Sequence, residues 1–140
     1  MMPAEAFSIR IRSDINEIPH ISTELETVML ASGFAGDDIL DTQLAVEEAI
    51  TNVIVHGYRD ARGEIAVSCR AAKGEITVRL EDHAPAFDPL SLPEPDLTSD
   101  VEDRQIGGLG IFLIRQVMND IRYSFEDGKN ILVLTKRITA

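Results

Sequence analysis

The sequence contains one cysteine, Cys69, so no disulfide can form within the chain and an oxidising compartment is not indicated. It also contains no apolar segment near the roughly 20 residues that a membrane-spanning helix requires. Residues 1–8 lack the basic region followed by an apolar stretch that marks a signal peptide. We therefore expect a cytoplasmic protein without a membrane partner.

Basic residues are scarce: 13 Lys and Arg stand against 24 Asp and Glu, which gives a formal net charge of -11. An acidic surface repels phosphate backbones, so nucleic acid is a poor candidate partner, whereas a basic protein surface is compatible. The 140 residues, of which 44% are hydrophobic and 26% charged, suit one globular domain over residues 1–140.

Apolar periodicity divides the chain into strand and helix segments. Alternation around Phe7 to Ile11 predicts a first strand. Helical spacing follows twice, with Pro19 in a first turn, Gly33 ending the first helix, and a second helix from Asp37 or Asp38 to His56-Gly57. The remaining predicted elements are strands at 64–71 and 75–81, a helix from Gly107 to about Asp120, and strands at 121–126 and 130–136.

Tight turns at Lys73-Gly74 and Asp127-Gly128 are expected to join neighbouring strands. The element order predicts an α+β fold: a two-layer sandwich with a mixed, mostly antiparallel sheet and the helices on one face. The stretch from His83 to Ile106 is rich in proline and has little apolar periodicity. A loop of this length inside a compact domain is usually functional or mobile.

Three polar residues of the second predicted helix, Glu48, Asn52 and His56, are spaced four apart and should share one face. They are compatible with a solvated polar edge whose histidine interacts with the helix dipole. They are also compatible with a carboxylate that accepts a proton beside an amide oxygen that binds Mg²⁺. A transition-metal site from the three residues is a further alternative.

Two further features are each compatible with a ligand site and with a purely structural role. Asp82 ends a predicted strand, where an aspartate either forms a turn or, if buried, accepts a hydrogen bond from an exocyclic amine such as that of adenine. The cluster Gly107-Gly108-Leu109-Gly110 opens an apolar helix and is compatible with a hinge or with a phosphate site. It is not a Walker A loop, because no Gly-Lys-Ser or Gly-Lys-Thr follows.

The three motifs in this order resemble the GHKL ATPase superfamily, which includes gyrase, the MutL repair proteins and sensor histidine kinases. The stretch Glu48 to Tyr58 is similar to the N box of its anti-sigma-factor serine kinase branch, Asp82 to Pro89 to the first glycine box, and Gly108 to Gly110 to the second. The resemblance runs from about Phe7 to Ile138, nearly the whole chain.

This resemblance implies an ATP-dependent serine protein kinase that regulates a sigma factor. Glu48 would be the general base, Asn52 would hold Mg²⁺ and Asp82 would bind the adenine amine. The loop positions Ala84 and Ala86 would lie beside the nucleotide, Gly108, Leu109 and Gly110 would bind its phosphates, and residues 90–106 would form the ATP lid. The implied partners are a small anti-sigma-factor antagonist, a sigma factor and a second copy of the chain.

The sequence departs from the family pattern at Ala84 and Ala86, where the first glycine box usually has glycines. Each alanine adds a methyl group beside the expected adenine pocket and disfavours a positive φ, so the change either weakens nucleotide binding or requires a shifted loop path. A non-catalytic or weakly nucleotide-binding module of the same fold is therefore the alternative function. A histidine kinase fits less well, because the chain has no room for a phosphoacceptor helix pair.

Overall fold

The computed structural model describes residues 4–72, 74–91 and 106–138. Within them lie five strands, three α-helices and three short helical turns, in the predicted order. The strands are β1 (Ala4–Arg12), β2 (Glu64–Ala72), β3 (Glu75–Asp82), β4 (Asp120–Glu126) and β5 (Lys129–Arg137). The helices are α1 (Ile18–Ala31), α2 (Gly36–Asn52) and α3 (Ile106–Val117), and the turns are 3-10 turns at Ile15–Glu17 and Pro89–Ser91 and a π-helical turn at Val53–Gly57.

The strands form one sheet in the order β1-β2-β3-β5-β4. All four strand pairs in the described part of the chain are antiparallel, so the expectation of a mixed sheet is corrected to a fully antiparallel one. The reason lies in the last hairpin. Strands β3 and β4 run in the same direction, but β5 lies between them. The two parallel strands therefore do not pair with each other.

The helices cover one face of this sheet, as expected. Alternate residues of β2 and β3 are buried against buried residues of α1 and α2 in one hydrophobic cluster. Its most enclosed members from these elements are Ile21, Leu25, Met29, Val46, Ile50, Ile65, Val67, Ile76, Val78 and Leu80. The opposite sheet face carries polar side chains such as Arg10, Ser68 and Arg79. The α+β two-layer sandwich is therefore confirmed.

Local backbone signals account for the element ends. Pro19 lies in the first turn of α1, where its missing N–H costs nothing. Gly33 follows the helix with a φ of 87°, a left-handed conformation that favours glycine. Asp127 and Gly128 both have positive φ values, as a two-residue hairpin between β4 and β5 requires. Among the described residues, no helix is both long and apolar enough to cross a membrane.

Burial also fixes the chemistry of the one cysteine. Cys69 is fully buried on the helix-facing side of β2. Desolvation of the thiolate raises the pKa of its thiol to about 12, so the group stays protonated and unreactive at neutral pH.

A buried lysine ties the last strand to two helices. The ammonium of Lys136 on β5 donates a hydrogen bond to the carbonyl oxygen of Val117 at the end of α3. It also lies 3.8 Å from a carboxylate oxygen of Asp38 and 3.6 Å from one of Asp41, both near the start of α2. Because Lys136 is 8% exposed, its ammonium is largely removed from water. Its hydrogen bond and ion pairs within the protein therefore replace its hydration.

We expect the Lys136→Met substitution to lower the free energy of unfolding by about 1–3 kcal/mol, because the Val117 carbonyl and the buried Asp38 lose a cationic donor. The measurement is urea denaturation followed by circular dichroism. Lys129→Met is the control, since Lys129 is half-exposed and lies 4.0 Å from Glu81, so its loss should change stability by less than about 0.5 kcal/mol. Equal effects of the two substitutions would contradict the role given to Lys136.

Candidate functional site

Asp82, the last residue of β3, is buried with 5% of its surface exposed. Its Oδ1 atom accepts hydrogen bonds from the Ala84 backbone N–H at 3.0 Å and from the Asn130 side-chain amide at 2.9 Å. Desolvation raises the pKa of the Asp82 carboxyl, and the hydrogen bonds from Asn130 and Ala84 and the charge of His83 counteract that rise. The carboxylate is thus a costly buried anion supported by local donors.

Asn130 on β5 pairs directly with Asp82 across the sheet. Its amide nitrogen donates to Asp82 and also to the carbonyl oxygens of Ala84 and Pro85, at 3.0 and 3.3 Å. Its carbonyl oxygen accepts from the Phe87 N–H and from the Tyr123 hydroxyl. Asn130 is not among the site residues predicted from the sequence. The signal was available, because the inward alternation Leu134, Leu132 continues to residue 130, where a polar side chain is exceptional.

A small cavity lies between Asp82 and the end of α2. It is lined by Ala49, Asn52, Val53, Gly57, Asp82, Phe87, Pro89, Tyr123, Asn130 and Leu132. Its volume of about 30 Å³ is far below the roughly 300–1,000 Å³ of a typical small-molecule site. A purine can enter only if part of this lining moves, and Phe87 is a lining residue that belongs to neither a helix nor a strand.

The structure brings Asn52 to this cavity but not His56. Helix α2 ends at Asn52 and continues as the π-helical turn, in which the Tyr58 N–H bonds to the Val53 carbonyl at 2.8 Å. This wider turn alters the helical phase, so Gly57 lines the cavity while His56 is exposed. The expected common face of Glu48, Asn52 and His56 is therefore wrong for His56.

Glu48 is half-buried on α2 and faces α3. A Cβ atom built on Gly110 would lie 3.0 Å from the Glu48 Oε2 atom. The absence of a side chain at residue 110 thus leaves room for the Glu48 carboxylate between the two helices. Glu48 is not among the residues that line the small cavity, although it lies one helical turn before Asn52.

Tyr58 connects the end of the π-helical turn to the strand that carries Asp82. Its hydroxyl donates to the Glu64 carbonyl at 2.6 Å and accepts from the His83 N–H at 2.9 Å. A Cβ atom on Gly63 would lie 2.3 Å from the Tyr58 ring, so residue 63 must be glycine for the ring to fit. These contacts hold the chain where it leaves β3.

The glycine cluster 107–110 is helical and forms the beginning of α3, as predicted for a helix start. The predicted lid, residues 90–106, lies outside the described residues except at Leu90, Ser91 and Ile106. At its first residue, the Leu90 carbonyl accepts a hydrogen bond of 2.8 Å from the Arg115 guanidinium on α3. The start of the segment is therefore attached to the helix that the glycines open.

No group of three or more His, Cys, Asp or Glu side chains that could hold a metal ion occurs within residues 4–72, 74–91 and 106–138. The transition-metal alternative needs Glu48, Asn52 and His56 together, but His56 is exposed and does not line the cavity that Asn52 lines. The amide of Asn52 at the cavity is an oxygen ligand of the type that a hard cation accepts when other oxygens complete its shell.

The family model of the histidine kinase-like ATPase domain matches residues 11–136, which include β1 from Ile11, both sides of the cavity and nearly all of β5. The chain belongs to this family of ATPase domains. The resemblance to GHKL ATPases and the expected use of ATP are thereby confirmed at the level of the family.

Curated relatives of this ATPase domain are named as serine-protein kinases. Serine-protein kinases RsbW from Bacillus thuringiensis (strain Al Hakam) and Bacillus cereus (strain AH187) are each 30% identical to the chain over 138 residues, which cover 96% of this chain and 86% of the relative. A crystal structure of the RsbU and RsbW domains of Rv1364c from Mycobacterium tuberculosis shares the fold with a TM-score of 0.65 and 19% identity. That match covers 96% of this chain and 33% of the solved one.

This histidine kinase-like ATPase domain departs from the family pattern at Ala84 and Ala86 without a positive φ at either residue. Neither alanine lines the cavity. Ala86 is exposed, whereas Ala84 is 3% exposed and packs its methyl group toward Gly57, where an added Cβ atom would lie 3.3 Å away. The loop therefore carries both alanines without a positive φ, and the expected effect of the two methyl groups on nucleotide binding stays a prediction.

We expect Gly57→Ala and Ala84→Gly each to destabilise the protein by about 1 kcal/mol, the first by overpacking and the second by removing a buried methyl group. The double variant transfers the methyl group from one side of the contact to the other and should cost less than the sum of the single variants. Urea denaturation of the four proteins measures this coupling. Strictly additive effects would show that the two residues do not share one space.

Proposed function

We propose that the protein is an ATP-dependent serine kinase that acts as an anti-sigma regulatory factor and phosphorylates a small antagonist protein. The observation that carries the proposal is the convergence of Asp82 and Asn52 on one cavity, with the Glu48 carboxylate one helical turn away. The identity of 30% to serine-protein kinases named RsbW, over 96% of the chain, supports the serine as acceptor. One domain spanning residues 1–140 would carry the whole site.

In this proposal the nucleotide lies between β3 and α3. The ionised Asp82 accepts a hydrogen bond from the adenine amine, with the loop of Ala84 and Ala86 beside the base. The helix-opening residues Gly108, Leu109 and Gly110 lie against the phosphates, because backbone N–H groups and the dipole at a helix N-terminus favour anions. Entry of the purine requires Phe87 and its neighbours to move outward from the small cavity.

The chemistry proposed for α2 divides between two side chains. The Asn52 amide oxygen would hold Mg²⁺, a hard cation that offsets the charge of the phosphates when bound. Glu48 would accept the proton of the substrate serine hydroxyl while that oxygen attacks the γ-phosphoryl group, which leaves ADP as the second product. The bare Cα of Gly110 gives the Glu48 carboxylate the space that this role needs.

The proposed partners follow from the same activity. A small anti-sigma-factor antagonist would supply the serine, a sigma factor would be the regulated protein, and a second copy of the chain would complete a homodimer. A net charge of -11 suits partners with basic docking surfaces and disfavours nucleic acid. We place the activity in the cytoplasm, where ATP is available.

We expect Glu48→Gln to leave ATP affinity nearly unchanged and to slow phosphoryl transfer by about 10²–10⁴-fold, because the amide keeps the shape but cannot take up the hydroxyl proton. Calorimetry measures the affinity, and phosphorylation of the purified antagonist protein measures the transfer rate.

The neighbouring carboxylate provides a matched control. Glu47 accepts a hydrogen bond of 2.8 Å from the Ser22 hydroxyl on α1, on another side of α2 from Gly110. Glu47→Gln should therefore keep the wild-type rate. A Glu48→Gln protein that phosphorylates the antagonist at the wild-type rate would remove Glu48 from the mechanism.

We expect Asp82→Asn to weaken ATP binding by about 1–3 kcal/mol, the scale of a lost charge-assisted hydrogen bond.

The Asp82→Asn substitution should also raise the stability of the free protein at neutral pH. Because burial raises the pKa of Asp82, the folded state takes up a proton more readily than the unfolded state. Its ionised form therefore costs stability above the folded-state pKa, and that cost disappears as the pH falls through it. Thermal unfolding measures the expected gain in stability, and calorimetry measures the expected loss of ATP affinity. Unchanged ATP affinity would refute the role of Asp82 in binding adenine.

The small size of the cavity favours a second candidate function, a module of the same fold that uses ATP only as a conformational ligand or not at all. Calorimetry of the wild-type protein with ATP and Mg²⁺ separates the candidates. If ATP does not bind, the protein is a regulatory module that does not use a nucleotide. If ATP binds but no antagonist is phosphorylated, ATP is a conformational ligand.

A further inference from the structure

The amide of Asn130 is held in one orientation by its neighbours. Its oxygen accepts from the Phe87 N–H at 3.1 Å and from the Tyr123 hydroxyl, so its nitrogen must face the opposite side. That nitrogen has only hydrogens to offer, and it donates one toward the Asp82 Oδ1 atom at 2.9 Å. A flipped amide would bring its oxygen against the carboxylate and against two carbonyl groups.

This orientation constrains the protonation of Asp82. Two donors, the Asn130 amide and the Ala84 N–H, converge on the same carboxylate oxygen and favour the ionised form, while burial favours the protonated form. An ionised carboxylate can only accept hydrogen bonds, whereas a protonated one can also donate. The balance between burial and the two donors thus decides which kind of ligand atom the side chain can face.

We propose that Asn130 is a specificity-determining positioning residue, which keeps Asp82 an obligate acceptor and thereby selects 6-amino purines over 6-oxo purines. Asn130 acts through Asp82 and need not contact the base. The inference rests on the proposed binding of adenine at Asp82. It goes beyond that proposal by making the nucleotide preference depend on a strand residue 48 positions away from Asp82.

The other titratable groups near Asp82 do not duplicate this role. His83 follows it and its charge lowers the pKa of Asp82, but the side chain is exposed. The Tyr58 hydroxyl bonds the His83 N–H, and the Tyr123 hydroxyl bonds Asn130, so both lie near the carboxylate without a hydrogen bond to it in the contacts described. Burial raises the pKa of both tyrosines, which therefore stay neutral at neutral pH.

The test compares the affinities of the full chain for ADP and for inosine diphosphate, which carries a 6-oxo group in place of the amine. We expect the wild-type protein to prefer ADP, and Asn130→Asp and Asn130→Leu to reduce the ratio of the two affinities by at least about tenfold at neutral pH. In Asn130→Asp, two adjacent carboxylates share a proton. Raising the pH should remove that proton and restore part of the preference, whereas the wild-type ratio should stay constant.

Asn119→Asp is the matched control, because it makes the same chemical change at an exposed residue that bonds the Arg137 N–H at the other end of β5. It should keep the wild-type ratio. The Asp and Leu variants challenge folding in different ways, one by charge and one by lost hydrogen bonds, and either variant that folds by circular dichroism decides the question.

A purely structural role for Asn130 would lower both affinities equally and leave their ratio independent of pH, which would overturn the inference. If the wild-type protein prefers ADP and the variants keep that preference, only the inference fails. If the wild-type protein binds neither nucleotide, the proposed kinase function fails and the inference fails with it.

Discussion

The buried carboxylate of Asp82 is the constraint around which the site is built. A charge with 5% exposure must be given donors, and the chain provides them from its own turn and from the neighbouring strand. Meeting that demand fixes Asn130, and Asn130 in turn fixes the backbone from Ala84 to Phe87. The first wall of the proposed nucleotide site therefore results from the hydrogen bonds that one buried anion requires, and the register between β3 and β5 brings Asn130 opposite Asp82.

Helix α2 supplies the second wall while remaining part of the core. Its apolar residues Val46, Ala49 and Ile50 are buried, and the polar side chains of Glu48 and Asn52 lie along its edges toward α3 and the cavity. The π-helical turn at its end widens the helix where Val53 and Gly57 line the cavity, and π turns are frequent at functional sites. Because one face of α2 packs in the core, the proposed reactive groups on its edges are held in fixed positions.

Element order, helix ends and the sandwich architecture were predictable, because apolar period, proline and glycine are local signals that agree with one another along this chain. Glu48, Asn52 and Asp82 were also within reach, since their polarity interrupts apolar patterns. The inward position of Asn130 could also be read from the alternation of β5, but its hydrogen bonds and those of Tyr58 could not, because they join Asn130 to Asp82 and Tyr58 to His83, which are distant in sequence. The exposed position of His56 was not predictable for another reason. The hydrogen bond from the Tyr58 N–H to the Val53 carbonyl forms a π-helical turn, which the α-helical spacing of apolar residues does not indicate.

The contact between Gly57 and Ala84 also makes these two residues depend on each other. One methyl group fits comfortably between the π-helical turn and the loop after β3, and it belongs to residue 84. A side chain at residue 57 would crowd the alanine at residue 84, whereas glycine at residue 57 leaves room for it. The tolerance of residue 84 for a methyl group is therefore set by residue 57.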